Sequence, residues 1–378
     1  MTRSILLLAV GLLAAALFAC VQVQAPPPPP QTQLAACPFS ASSVRVLAPG
    51  YDPSSGTYSP PGQNLQAGAT LSPQMVNDIN QAFSNAPQAV QNDICALSGI
   101  FIDTSSCQGG TINPCTPVNN SVPKSWGIRS SNNVDLGSMY VGIPASLWQT
   151  ANTNAILFSQ YEKTVIQYYA LNARNSNWVN GTYPLPTVSR VNPDTSWPTV
   201  LAALAHELGH VKFNYTIHKP NKYNGNYYFD YLEKCNNNTL NFFNWWSYSR
   251  NYRKLIPKNY WRKFGSQDDL NGDALVDHSI YPFLSDFKDL AHYPDPNVLL
   301  YALYSGEGEP WASFWGAWSP DEDFVETYVL SALLANVTTL QISIGGNSYD
   351  IIVNTTKNNK PFLYSKIQCV QHLPTIGQ

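Results

Sequence analysis

The chain has 378 residues, a formal net charge of −3 and 44% hydrophobic residues. That length allows one large domain or two modest ones, with enough apolar residues for a sizeable core. Charged residues are only 12% of the chain, half of the ~25% usual in soluble domains, so no global charge points to nucleic acid or an anionic membrane. Asn, Ser, Thr, Tyr and Trp supply the polarity instead, which reads as an extracytoplasmic surface.

In chain order, Arg3 precedes an almost unbroken apolar run from Ile5 to Phe18. The run is short for a membrane-spanning helix and right for a signal-peptide core. It ends in Leu17-Phe18-Ala19-Cys20, which resembles the bacterial lipobox. The resemblance implies a signal peptide over 1–20, a lipid on Cys20 and a place in the bacterial cell envelope, anchored to the membrane. The competing cut, after Val23-Gln24-Ala25, would secrete the chain but leave Pro26 at the new terminus. The proline run from Pro26 to Pro30 reads as a stiff extended spacer, giving a tether over 21–36. The expected folded domain is then 37–378.

Seven cysteines fit this picture. Setting Cys20 aside leaves Cys37, Cys95, Cys107, Cys115, Cys235 and Cys369, an even set that in an exported chain points to disulfides. Cys107 and Cys115 flank a Gly-Gly and Asn-Pro loop and can close a small ring. The other pairings stay open, and no CxxC pair suggests a structural zinc site.

Ser72-Pro73 is a helix start, followed by Val76, Ile79 and Phe83 at helical spacing. A short helix follows Pro87 and runs toward Cys95. Ile100-Phe101-Ile102, Trp126-Gly127-Ile128 and Met139 to Ile143 read as strands, and Ala155 to Leu171 as a helix. Ser196-Trp197-Pro198-Thr199 opens the central helix, with Val200, Leu201, Leu204, Leu208 and Val211 on its apolar face. An aromatic-rich region, about 214–320, comes next. Phe324 to Leu334 is helical, and Leu340 to Ile344 with Tyr349 to Val353 reads as a hairpin. The layout is α+β with a small mixed sheet.

The chemistry concentrates in His206-Glu207-Leu208-Gly209-His210. Positions i and i+4 share one helix face, so both imidazoles can bind one Zn²⁺. Glu207 follows the first histidine and is placed as a general base for metal-bound water. The apolar flanks predict a buried helix, and two histidines and a glutamate there need partners. Lys212 departs from the apolar residue common at that place in such motifs.

A catalytic site needs a third protein ligand. Phe213 and Thr216 exclude the metzincin pattern, which would place Gly and His there. The strongest candidate is distant: Ser319-Pro320-Asp321-Glu322-Asp323-Phe324-Val325-Glu326 starts a helix with Glu322 and Glu326 on one face. One carboxylate can bind the metal while the other hydrogen-bonds a ligand histidine. Asp323 and Glu233 are fallbacks, and His218 lies nearby but off the pattern.

Glu322-Asp323-Phe324-Val325-Glu326 resembles the E-[DF]-F-A-E segment of gluzincin-type zinc metallopeptidases. These include the lethal factor-like and Pro-Pro endopeptidase-like groups and bacterial zinc-binding metallopeptidases. The resemblance covers only the two motif segments. It implies a zincin-like fold, Glu322 as third zinc ligand beside His206 and His210, Glu326 supporting a histidine, and Glu207 as catalytic base. It also implies a peptide or protein substrate. Two departures stand out: the insert before Glu322 is long, and Trp315 stands where relatives often carry an oxyanion-stabilising Tyr. Tyr301, Tyr304 and Tyr328 are alternatives for that role.

Within the insert, Phe242 to Phe264 mixes Trp245, Trp246, Tyr248, Tyr252, Tyr260 and Trp261 with arginines and lysines. Such a stretch can bind peptides, glycans or nucleic acid. The plainer reading is an amphipathic helix pair covering the active-site lobe, and an exported chain gives no reason to invoke nucleic acid. Asp269 to Asp277 resembles the start of a calcium loop, but Ala274 and Ile280 replace the key Gly and Glu, so an Asx-rich turn is the preferred reading over Ca²⁺.

The expectation is an exported, lipid-anchored zinc endopeptidase, with the strand at Met139 to Ile143 as the edge that pairs with an extended substrate. The alternative is a surface-tethered binding lipoprotein whose zinc site is structural or vestigial. A third reading keeps the zinc chemistry and takes cell-wall peptide amides as substrate.

Overall fold

A helix that is apolar all round must be enclosed by other elements. Trp197–Thr216 is such a helix: from Val200 to Ala205 every side chain is buried, as are Leu208, Val211 and Phe213. The computed structural model describes residues 37, 39–51, 61–110, 112, 115–117, 126–128, 139–149, 153–173, 187–216, 246–249, 254–257, 304, 312–313, 316, 320–356 and 358–376. They all belong to one unit, Leu34–Gln378. Cys20, the leader and tether, Cys235, His218, Glu233, Trp315, Tyr301 and the Asp269 to Asp277 loop lie outside the described residues.

The described helices are α1 (Pro73–Asn85), α2 (Gln88–Cys95), α3 (Phe158–Ala173), α4 (Trp197–Thr216), α5 (Pro320–Leu333), a single turn α6 (Ile351–Asn354) and α7 (Pro361–His372). The strands are β1 (Arg45–Val46), β2 (Gly99–Asp103), β3 (Trp126–Ile128), β4 (Tyr140–Pro144), β5 (Thr187–Asn192), β6 (Trp246–Ser249), β7 (Lys254–Pro257), β8 (Thr339–Ile344) and β9 (Asn347–Asp350). A four-stranded mixed sheet runs in the order β1-β2-β4-β3. β1, β2 and β4 are parallel, while β3 pairs antiparallel with β4. β5, β8 and β9 form a second, antiparallel sheet. Against α4 pack α1, α2, α3, α5, β3 and β4.

Local chemistry explains several elements. Ser72 accepts a hydrogen bond from the Met75 N–H and Pro73 occupies the first turn of α1, which buries Met75, Ile79 and Ala82 at helical spacing. Ile100, Phe101 and Ile102 of β2 are all buried, as expected of a parallel strand covered on both faces. β8 alternates, burying Leu340, Ile342 and Ile344 on one face.

Three sequence expectations need correction. The strand at Met139 to Ile143, taken as a free edge, is β4, and its ladder is filled by β2 on one side and β3 on the other. The outer strands of this sheet among the described residues are β1 and β3. The Phe242 to Phe264 stretch, read as a helix pair, contains the antiparallel hairpin β6–β7, where Trp246 pairs with Pro257 and Tyr248 with Leu255. The alternation Trp246-Ser247-Tyr248-Ser249 has the period of a strand and β-favouring aromatics. The C-terminal hairpin ends at Asp350 rather than Val353. The Asp350 carboxylate accepts from Val353 N and Leu340 N, which caps α6 and stops the strand.

Disulfides join Cys37 to Cys95 and Cys107 to Cys115, the second closing the small ring expected from the loop between them. Cys369 on α7 is disulfide-bonded as well.

Three fully buried aspartates tie the helices together. Asp78 of α1 accepts from Trp148 Nε1 (2.9 Å), Ala155 N (2.6 Å) and Ser196 Oγ (2.6 Å), just before α4 begins. Asp93 of α2 accepts from Lys212 Nζ of α4 (2.5 Å), Tyr328 Oη of α5 (2.8 Å) and Ile376 N (2.9 Å). Asp323 of α5 accepts from Lys366 Nζ of α7 at each carboxylate oxygen, at 2.6 Å. Lys212, the sequence departure, is thus a buried cation with a buried anionic partner. Removing one side of such a pair strands the other charge, at a cost of about 3–5 kcal/mol. Asp93→Ala should lose at least about that much stability in urea unfolding, because it also leaves the Tyr328 hydroxyl and the Ile376 N–H without their acceptor. A single-variant loss under about 1 kcal/mol would contradict the assigned role.

Candidate metal centre

Positions 206 and 210 are one helical turn apart on α4, so their side chains leave the same face. The two imidazole rings stand 5.1 Å apart between centroids, nearly perpendicular at 81°. Their side chains remain 22% and 25% exposed on an otherwise buried helix, so this face is partly open to solvent. Opposite them is the first turn of α5, whose acidic residues suit the positive end of the helix dipole.

The two helices meet at Gly209. A Cβ there would lie 3.3 Å from Val325 Cα, 3.4 Å from Val325 Cγ1 and 3.5 Å from Tyr328 Cδ1. Glycine therefore lets α5 approach the α4 backbone, and Glu322 reaches the histidines. Glu322 Oε1 lies 3.5 Å from His210 Nε2, and Glu322 Oε2 lies 3.9 Å from His206 Nε2. One donor atom from each of the three residues falls within 4.8 Å of the others. Two donors ~2.1 Å from a tetrahedral ion stand roughly 3.4 Å apart, so this spacing suits ligands that share an ion. Two imidazole nitrogens and a carboxylate oxygen are also a donor set that zinc accepts.

Glu326, one turn after Glu322, places Oε1 2.9 Å from His206 Nδ1. A carboxylate there accepts the Nδ1 proton and leaves Nε2 as the metal-facing nitrogen. The other oxygen of Glu326 accepts a 2.6 Å bond from Ser313 Oγ, whose hydroxyl in turn accepts from Gly316 N at 3.1 Å. Glu207 is buried, 7% exposed, next to the first histidine. Burial alone lowers the His206 pKa, but the Glu326 hydrogen bond and the charges of Glu207, Glu326 and Glu322 outweigh it and lift it to about 10. A metal must displace that proton, so metal affinity should strengthen as pH rises.

Of the fallback ligands, Asp323 is buried away from the cluster on Lys366. Tyr328, a candidate oxyanion donor, is 2% exposed and bonds Asp93; burial first, then Asp93, raise its pKa well above that of an ordinary phenol. Tyr304 is buried, 1% exposed.

Sequence reasoning missed Ser313 and Glu162. Nothing in the pattern of α3 marks Glu162, a half-buried residue in the field of Glu326 and His206. Desolvation and then the charge of Glu326 raise its pKa from 4.5 to about 8, with His206 opposing. The folded state therefore holds this proton more tightly than the unfolded chain. The resulting stability is complete below pH 4.5 and is lost as pH rises toward about 8. In the metal-free protein, Glu162→Gln should reduce the fall in stability between about pH 5 and about pH 8 in urea unfolding. An unaltered pH dependence would contradict this placement.

The close helix contact makes its own prediction. Gly209→Ala gains about 1 kcal/mol of helix propensity but forces the backbones apart by a few tenths of an ångström. Zinc affinity in chelator competition should fall roughly tenfold while the apo protein stays folded. Undiminished affinity would show that this contact does not set the ligand spacing.

Comparison with protein-family models, curated proteins and solved structures finds no match to this chain.

Proposed function

We propose that this chain is a zinc-dependent endopeptidase with a zincin-like arrangement, acting outside the cytoplasm on peptide or protein substrates. The observation that carries the reading is the convergence of His206, His210 and Glu322 from two distant segments onto one partly exposed point. His206 Nε2, His210 Nε2 and one oxygen of Glu322 would hold the ion. A zinc ion so held supplies Lewis acidity, polarising a carbonyl and lowering the pKa of a coordinated water to about 7.

The remaining chemistry belongs to the chain. Glu207 takes the proton from the attacking water and later gives it to the leaving amine. Glu326 keeps His206 in the Nδ1–H tautomer and holds the ring in place. Among the described residues β3 is an outer strand that packs on α4, and it is the edge this reading assigns to an extended substrate. The disulfides are consistent with an exported chain, as is the apolar leader ending at Cys20, the proposed lipid attachment point.

A second reading keeps the metal and drops the catalysis, making the chain a surface-tethered binding protein. It draws support from the commitment of Tyr328 to Asp93, which removes one candidate oxyanion donor.

Glu207→Gln separates the two. It should retain one zinc per chain by elemental analysis and lose at least about 100-fold in cleavage of a mixed peptide library. Full activity in this variant would exclude Glu207 as base. Zinc binding by the wild type without chelator-sensitive cleavage would favour the binding protein.

A further inference from the structure

The chain reaches α5 through residues that touch the back of the site. Ser313 Oγ lies 2.6 Å from Glu326 Oε2 and 3.1 Å from Gly316 N. An amide N–H can only donate, so Gly316 occupies a lone pair of the hydroxyl. An ionised carboxylate can only accept, so the hydroxyl proton points at Glu326. The direction of every bond in the chain follows: Gly316 N–H to Ser313 Oγ, Ser313 O–H to Glu326 Oε2, and His206 Nδ1–H to Glu326 Oε1. Both carboxylate oxygens of Glu326 are then engaged, one by His206 and the other by Ser313. Gly316 also sits close to this carboxylate's stem, where a Cβ would meet Glu326 Cβ at 3.4 Å and Asp323 Cα at 3.7 Å.

We propose that Ser313 is a positioning residue for the metal centre, which locks the Glu326 carboxylate and through it presents His206 Nε2 to the ion. The proposal rests on the metal-site reading above. A carboxylate held by one hydrogen bond can swing about its last torsion, because terminal sp³–sp² torsions are broad. A second, charge-assisted bond at 2.6 Å removes that freedom. The imidazole then keeps one tautomer and one orientation, which is the function of partners placed behind ligand histidines. A plain structural turn from Ser313 to Gly316 would need only the Gly316 bond, and the hydroxyl proton would have no reason to face the site.

The test uses the full chain, loaded with zinc or cobalt(II). Ser313→Ala should weaken zinc binding roughly tenfold in chelator competition, the low end for partners behind a ligand. It should also shift the visible d–d absorption of the cobalt(II) form, which reports ligand geometry. Ser313→Thr, which keeps the hydroxyl, should restore both. Wild-type affinity and an unchanged cobalt spectrum in Ser313→Ala would overturn the proposal while leaving the metal site standing. A loss that Ser313→Thr does not restore, with a lower melting temperature of the apo protein, would assign Ser313 to folding and overturn it as well. A wild-type chain that binds neither metal would overturn the site reading itself, and this proposal with it.

Discussion

Everything at the site depends on how closely two helices approach. Gly209 lies between the two histidines' turns, and Val325 lies between the two glutamates of α5. With no side chain at 209, the α5 backbone comes within van der Waals reach of α4, and a carboxylate on α5 can sit 3.5 Å from an imidazole on α4. Any bulk at 209 would act on both ligand sets at once. One missing methyl group thus sets the dimensions of the cluster, and the glutamates gain their reach from backbone packing rather than from long flexible excursions.

That packing needs a frame, and buried carboxylates provide it. Asp78 fixes the approach to the N-terminus of α4, Asp93 grips Lys212 near its other end, and Asp323 holds α5 to α7. None of the three is exposed. An anion in a dry interior is tolerable only with its donors in place. A register slip of α4 would separate Lys212 from Asp93 and the histidines from Glu322 together. The arrangement penalises misplacement of the site through the cost of bare charge, and apolar contacts alone could not do this so steeply.

Much of this was legible in the sequence because it is local. Ser72-Pro73 starts a helix by capping, Ile100 to Ile102 forms a strand by β-branching and burial, and the i, i+4 pairs of His206/His210 and Glu322/Glu326 declare one helix face each. What escaped was non-local. Lys212 was visible as an anomaly on an apolar helix, but its partner lies 119 residues away in Asp93. Ser313 carries no pattern of its own and acquires meaning only where α5 packs behind it. β5 hides in a Pro- and Asn-rich stretch because its pairing with β8 supplies what propensity does not. β4 reads as a strand, but whether a strand is central or an edge depends on neighbours that periodicity does not encode.

The Cys37–Cys95 bond has a mechanical consequence. Tension arriving at Cys37 from the preceding residues finds a covalent shortcut to the end of α2, spanning 58 positions of sequence. The load bypasses β1 and α1, which lie within that span and cannot be peeled off one residue at a time. It emerges two residues from Asp93, at an anchor shared by α4, α5 and the C-terminal segment. A pull on this end of the molecule is therefore borne by several elements in parallel rather than by an outer strand alone.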